Sequence, residues 1–214
     1  MLEARDLVFG HGRRAPLVLD GVGLTIRPGE ILGLSGPSGC GKTTLGRLLA
    51  GHLRPHSGSV HADGSPLPAS GFRPVQLLPQ TPLLAMNPRW RIGRILTEAW
   101  KPSEADRAGF GISADWLDRY PHELSGGQLQ RVSILRSLAP GTRYLVADEI
   151  TGALDAIGQA EIWTLLQAVT RQRAIGVLAI SHDRALLGRI ADACLCLPDM
   201  TVAIDQRNDQ RISA

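Results

Sequence analysis

The run Gly36-Pro37-Ser38-Gly39-Cys40-Gly41-Lys42-Thr43 has the Gly-x-x-x-x-Gly-Lys-Thr spacing of a phosphate cradle. Glycines at these positions let the backbone wrap an anion with its N–H groups turned inward. A helix starting at the end of the loop adds partial positive charge. The chemistry implied is the binding of a nucleoside triphosphate. Lys42 reaches its β- and γ-phosphates, the Thr43 hydroxyl ligates Mg²⁺, and Thr44 helps to hold the α-phosphate. Gly36, Ser38, Gly39, Cys40 and Gly41 supply the cradle itself. Further along, the apolar run Tyr144-Leu145-Val146-Ala147 ends in Asp148-Glu149. A buried strand of this kind delivers Asp148 to the metal and leaves Glu149 to polarise an attacking water. Paired carboxylates at a strand end are often ordinary solvated caps. Downstream of a phosphate loop the catalytic reading is the stronger one. His182, in Ser181-His182-Asp183, follows the apolar run Val177 to Ile180. A histidine at that strand end is placed to donate to the γ-phosphate.

These groups demand particular elements around them. Ile31 to Ser35 reads as a short strand feeding the loop, and Thr43 to Ala50 as the helix behind it, stopped by Gly51 and Pro55. That is the strand–loop–helix context the motif requires. Leu2 to Phe9 and Val18 to Ile26 read as two earlier strands, the second ending at Pro28-Gly29. Val75 to Leu78, Tyr144 to Ala147, Ile175 to Ile180 and Ala193 to Leu197 are further strands, while Gln128 to Leu138 and Ala160 to Val169 read as helices. Strands alternating with helices predict an α/β fold, a nucleotide-binding core built on a mostly parallel sheet. Pro66 to Pro74 is rich in turn residues. From Pro79 to about Leu124 the pattern is helical and irregular, broken by Pro and Gly. Residues 79–139 are accordingly predicted to form a small helical lobe inserted in one domain spanning 1–214.

A chain of 214 residues with 43% hydrophobic content suffices for one substantial core. The net charge of +3 is too weak to argue for nucleic acid, and neither an aromatic-rich RNA-binding pattern nor zinc-finger spacing is present. Arg13 and Arg14, like Arg89, Arg91 and Arg94, read as solvated surface, with acidic lipid or an acidic partner loop as the sharper alternative. Three cysteines without framework spacing suit a reducing cytosol. Cys194 and Cys196 alternate in an apolar run and are predicted to share one face of a buried strand. Pro55 and Gly58 interrupt His52, His56 and His61, so these read as scattered surface histidines. The N-terminus carries no signal-peptide pattern. No apolar run approaches the roughly 20 residues that span a bilayer. Any membrane-spanning part of an assembly would therefore come from other chains.

The run Leu124-Ser125-Gly126-Gly127-Gln128 completes a series. With the phosphate loop, Gln80, Asp148-Glu149, Ala153-Leu154-Asp155 and His182 in the same order, the chain resembles the nucleotide-binding subunit of an ABC transporter over nearly its whole length. The resemblance implies ATP and Mg²⁺ as cofactors and ATP hydrolysis as the activity. It implies that Gln80 touches Mg²⁺ and the attacking water. Phe9 falls where the family places an aromatic that stacks on adenine, a core position in its strand being the alternative. Ser125, Gly126, Gly127 and Gln128 form a second anion-binding helix start, which in the family faces the γ-phosphate held by an opposite subunit. Asp155 resembles the aspartate that crosses between subunits. Two subunits then sandwich two ATP molecules head to tail at the cytoplasmic face of a membrane, and hydrolysis opens the sandwich to move two transmembrane permease subunits. Two departures stand out. Ile150 occupies the position where most of the family has Pro, and Gly152 replaces a common Ser. Both bear on the stiffness of the crossing loop without removing a catalytic group.

A narrower resemblance rests on Pro79-Gln80-Thr81, Met86-Asn87-Pro88-Arg89 and Ile92-Gly93-Arg94-Ile95-Leu96, which look like the oligopeptide, dipeptide and nickel importer branch. It implies import of peptides or chelated nickel, pairing with a second and different ATPase subunit, and an extracytoplasmic substrate-binding protein. Three competing readings have their own marks. A non-transport ABC ATPase carries a long coiled-coil insertion or fused cassettes, and neither is seen. A weakly hydrolysing scaffold has lost the equivalent of Glu149 or His182. A soluble kinase leaves Leu124 to Gln128 unexplained.

Overall fold

The computed structural model describes residues 1–12 and 15–199, and the backbone of 201–203; Arg13 and Arg14 lie outside the described residues. Two apolar strands come first, β1 (Leu2–Gly10) and β2 (Leu17–Ile26), paired antiparallel. Alternation along β1 changes phase. Leu2 and Ala4 are buried, then Leu7 and Phe9. The change occurs at Arg5-Asp6, where Asp6 has φ 49° and the register slips against both neighbouring strands. One extra residue in a strand sends every later side chain to the opposite face.

β3 (Ile31–Ser35) and α1 (Lys42–Leu49) follow as predicted. Next come β4 (Ser57–Ala62) and β5 (Ser65–Pro66), which the sequence did not announce. They complete an antiparallel sheet of order β2-β1-β4-β5. Gly58 sits where β4 crosses the bulge. Its φ is 85°, and a Cβ there would stand 2.3 Å from the Asp6 carbonyl oxygen, so only glycine fits.

β6 (Val75–Leu78) follows. A 3-10 turn at Pro82–Ala85, the short helices α2 (Ile92–Leu96) and α3 (Glu104–Gly109), and two further 3-10 turns lead to α4 (Gly126–Ser137). Then come β7 (Tyr144–Asp148), α5 (Ala156–Arg173), β8 (Gly176–Ile180), α6 (Arg184–Ile190), β9 (Ala193–Cys196) and β10 (Thr201–Ala203). α5 runs beyond the predicted Ala160 to Val169 at both ends, and α6 was not predicted. The second sheet has the order β10-β9-β3-β8-β7-β6. Its pairings are parallel except for β10 against β9. β9 is half-buried rather than buried, since it is covered less fully than the strands at the centre.

The parallel sheet divides two cores by alternation. Leu145, Ala147, Val177 and Ala179 join one cluster with α4, α5, α6 and the α2 residues Ile92, Ile95 and Leu96. Val146, Leu178, Ile180 and Leu34 face the other way, toward α1 and the antiparallel sheet. The buried Tyr144 hydroxyl donates to Asp63 at 2.6 Å, which ties β7 to the turn between β4 and β5. Burial, then this contact, pushes the Tyr144 phenol well above its usual range. The N-terminal ammonium first, and Tyr144 second, hold the Asp63 carboxyl below its own.

Candidate nucleotide site

Every residue of β3 is buried between β8 and β9, so the loop leaving it starts from a rigid base. Gly36 has φ 148°, and a Cβ would lie 2.5 Å from the Leu197 carbonyl oxygen. The loop thus presses its backbone against the end of β9, as glycine alone permits. Gly41, at φ 103°, is the N-cap of α1. Lys42 is 7% exposed, and its ammonium donates to the carbonyls of Gly36 at 2.9 Å and Pro37 at 2.8 Å. The charge therefore lies across the mouth of the loop, held by acceptors weaker than a phosphate.

β7 ends beside this loop. The Thr43 hydroxyl donates to Asp148 at 3.2 Å. Burial pushes the Asp148 carboxyl above its usual range; the Thr43 hydrogen bond opposes that shift and neighbouring Glu149 adds to it. Glu149 has a left-handed backbone at φ 49°, its N–H donating to the Ile180 carbonyl at 3.0 Å. One carboxylate oxygen accepts from Gln80 Nε2 at 3.4 Å, and the other lies 3.3 Å from His182 Nδ1. Two side chains, one following β6 and one following β8, thus meet at the Glu149 carboxylate, and His182 remains 69% exposed beside it. A cleft of about 420 Å³ joins Lys42, Thr43, Thr44, Gln80, Asp148 and Glu149, with Ser38, Gly39 and Gly41 in its wall. A smaller cavity of about 180 Å³ lies on the far side of Glu149, among Thr151, Trp163 and His182.

The donors in the cleft are hard oxygens with a single buried carboxylate. Among the described residues no group of three or more His, Cys, Asp or Glu side chains gathers to hold a metal. The hard-oxygen set of Thr43 and Asp148 suits Mg²⁺, which is bound through one or two carboxylates plus substrate phosphates. A cation beside Asp148 would offset the cost of burying its charge.

Other predicted residues lie apart from the cleft. Phe9 is 6% exposed, its ring edge-on to His11 and tilted against His56. The bulge at Asp6 turns it into the core of the antiparallel sheet. His11, two residues on, lines both the cleft and an adjoining apolar pocket of about 510 Å³ with Val18, Gly39 and Cys40. Simple alternation carried no signal for His11. Ser125 and Gln128 form a capping box at the start of α4. The Ser125 hydroxyl accepts from the Gln128 N–H at 3.3 Å, and the Gln128 side chain accepts from the Ser125 N–H at 2.9 Å. Gly126 and Gly127 lie against Leu154. Asp155 caps α5 by accepting from the Gly158 N–H at 2.8 Å. Phe9, Ser125, Gly126, Gly127, Gln128 and Asp155 are not among the residues that line the phosphate cleft.

Fold and cleft define a nucleotide-binding protein with a phosphate loop. Residues 19–152 match the family described as ABC transporter, and the chain belongs to that family as an ATP-binding cassette. It is 39% identical, over 81% of its own length, to the probable D,D-dipeptide transport ATP-binding protein DdpF of Escherichia coli, and spans 58% of that relative. It is 33% identical to the nickel import system ATP-binding protein NikE of Staphylococcus aureus, covering 96% of this chain and 90% of the relative. Among solved structures, the dimeric ATP-binding cassette MJ0796 bound to ADP and Pi superposes with a TM-score of 0.77 at 23% identity, over 95% of this chain and 97% of that one. No helix among the described residues is long and apolar enough to cross a membrane.

Proposed function

We propose that this chain energises import of peptides or chelated nickel, working at the cytoplasmic face of a membrane on two permease subunits supplied by other chains. The observation that carries the catalytic part is the meeting of Gln80 and His182 on Glu149 beside the phosphate cleft. With ATP in the cleft, Lys42 exchanges its two carbonyl acceptors for the β- and γ-phosphates. Glu149 accepts a proton from the water that attacks the γ-phosphorus, while the bond to the β,γ-bridging oxygen breaks and ADP leaves. Gln80 orients that water, and His182 donates to the γ-phosphate. Mg²⁺ held by Thr43, Asp148 and Gln80 would neutralise charge developing on the phosphates. His11 takes the place expected of Phe9 and packs against the base.

The capped start of α4 presents Ser125 and the N–H groups of Gly126 and Gly127 to an ATP bound by a second ABC ATPase subunit, a different chain. Asp155 meets that subunit from the adjoining loop. Residues 79–139 swing as a lobe when the sandwich closes. Leu84, 84% exposed, and Leu83, 41% exposed, lie on the 3-10 turn directly after Gln80 and form the apolar seat for a permease loop. An extracytoplasmic binding protein delivers cargo to the permeases. The names of the relatives support the choice of cargo class. The test is to purify the chain from its native membrane through a tag, identify its partners by mass spectrometry, and measure their ATPase rate. A second ATPase with two membrane subunits establishes the importer motor. A lone chain or homodimer without a membrane partner refutes it.

A further inference from the structure

We infer that Arg136 is a positioning residue that locks the permease seat to the signature helix, so that both move as one body. This rests on the proposed docking at Leu83 and Leu84. Arg136 lies in the last turn of α4, and Ser125 caps the opposite end. A helix of 12 residues holds those ends about 18 Å apart. From its far end, Arg136 reaches out of the helix in two directions. One guanidinium nitrogen donates to the carbonyl of Ala85, the last residue of the 3-10 turn that carries Leu83 and Leu84. The other pairs with Glu98 at 2.7 Å. Trp100, close after Glu98, donates from Nε1 to the carbonyls of Leu135 at 3.3 Å and Arg136 at 3.2 Å. The end of α4 is therefore stitched to the segment following Gln80 by a planar fork and an indole. Met86, buried to 6% exposure, packs that segment into the same apolar cluster as α4.

The consequence is a second route from membrane partner to nucleotide. Gln80 connects the start of the seat to Glu149 within this subunit. Arg136 connects its end to α4, and so to the Ser125 terminus that serves the opposite ATP. A push on Leu84 then reaches both nucleotides of the sandwich. A basic residue in a last helical turn also suits the helix dipole, but that role needs neither the Ala85 carbonyl nor Glu98.

The test compares wild type, Arg136→Ala, Arg136→Lys, Leu84→Ala and the double variant Leu84→Ala/Arg136→Ala in the membrane complex purified through this chain. ATP binding and the unfolding midpoint of each isolated chain serve as controls. Arg136→Ala is expected to bind ATP within about twofold of wild type and to assemble, yet to lose about tenfold in the ATPase stimulation conferred by the membrane partners. Arg136→Lys recovers part of the loss, because one ammonium serves one of the two acceptors. The double variant is no worse than the more impaired single one, as residues on one link are not additive. Undiminished stimulation in Arg136→Ala overturns the inference. So does a parallel loss of ATP binding and stability, which makes the residue merely structural, or full additivity with Leu84→Ala. A wild-type chain that recruits no membrane partner removes the docking reading itself, and with it the link.

Discussion

Replacing Glu149 with glutamine separates chemistry from architecture. The side chain keeps its shape and one oxygen acceptor but loses the capacity to take a proton from water. Its contacts to Gln80 at 3.4 Å and His182 at 3.3 Å are long, so each is worth no more than about 1 kcal/mol to the fold. The left-handed backbone at φ 49° costs glutamate and glutamine alike and drops out of the difference. Unfolding should therefore shift by less than about 4 °C for a chain of this size. Turnover loses a general base, a factor of about 10²–10⁴, or roughly 3–5 kcal/mol of barrier. The assay is steady-state phosphate release by the purified complex, alongside equilibrium ATP binding by the isolated chain. Expected are ATP affinity close to wild type and turnover at least about a hundredfold lower. Turnover within about tenfold of wild type, or affinity falling in step with turnover, would refute the assignment of Glu149 as base.

Two other substitutions discriminate between neighbouring aromatic positions. His11→Ala is expected to weaken ATP binding by about tenfold, the loss of one base-stacking contact, and to leave the unfolding midpoint nearly unchanged. Phe9→Ala should destabilise by about 3–5 kcal/mol through a core cavity, while the folded fraction binds ATP normally; the reverse pattern in binding and calorimetry restores Phe9 as the base contact. Tyr144→Phe removes one of the two main groups that depress the Asp63 carboxyl. The contribution of a depressed carboxyl is complete above the unfolded value of about 3.9 and disappears as pH falls through the lower folded value. Asp63 is 40% exposed, so the variant should lose only about 1 kcal/mol at neutral pH. The gap to wild type should close in urea titrations below pH ~4; a gap independent of pH would place the effect in packing instead.

The phosphate loop, the strand before it and the helix behind it were legible because the motif names its own context. The same holds for β7, whose apolar run ends in two acids. The elements that escaped notice share a cause. β4 is Ser-Gly-Ser-Val-His-Ala and buries fully only its last residue, so neither alternation nor an apolar run marks it. Its place is set by pairing with β1 and by the bulge it crosses, both non-local. α6 has seven residues, too few for a helical period to stand out. The burial of Phe9 has the most specific reason. Unbroken alternation from Leu2 and Ala4 turns Phe9 outward, whereas a left-handed residue at Asp6 reverses every side chain beyond it. A polar residue in a strand does not declare its φ. The signature helix lay between these cases. Its capping box is local and appears in the sequence, but the anchoring of its far end through Arg136 joins residues 51 positions apart.

The place of β3 in the parallel sheet sets an order of events during synthesis. Its neighbours are β8 and β9, the last of which ends at Cys196. A ribosome adding about 5–20 residues per second takes about 10–30 s to pass from Ser35 to there. Until β8 is made Ile31, Leu32 and Leu34 have no strand to pair with, and until β9 follows the loop they carry lacks its second flanking strand. The nascent chain thus holds its complete phosphate motif long before the sheet that fixes the loop is assembled.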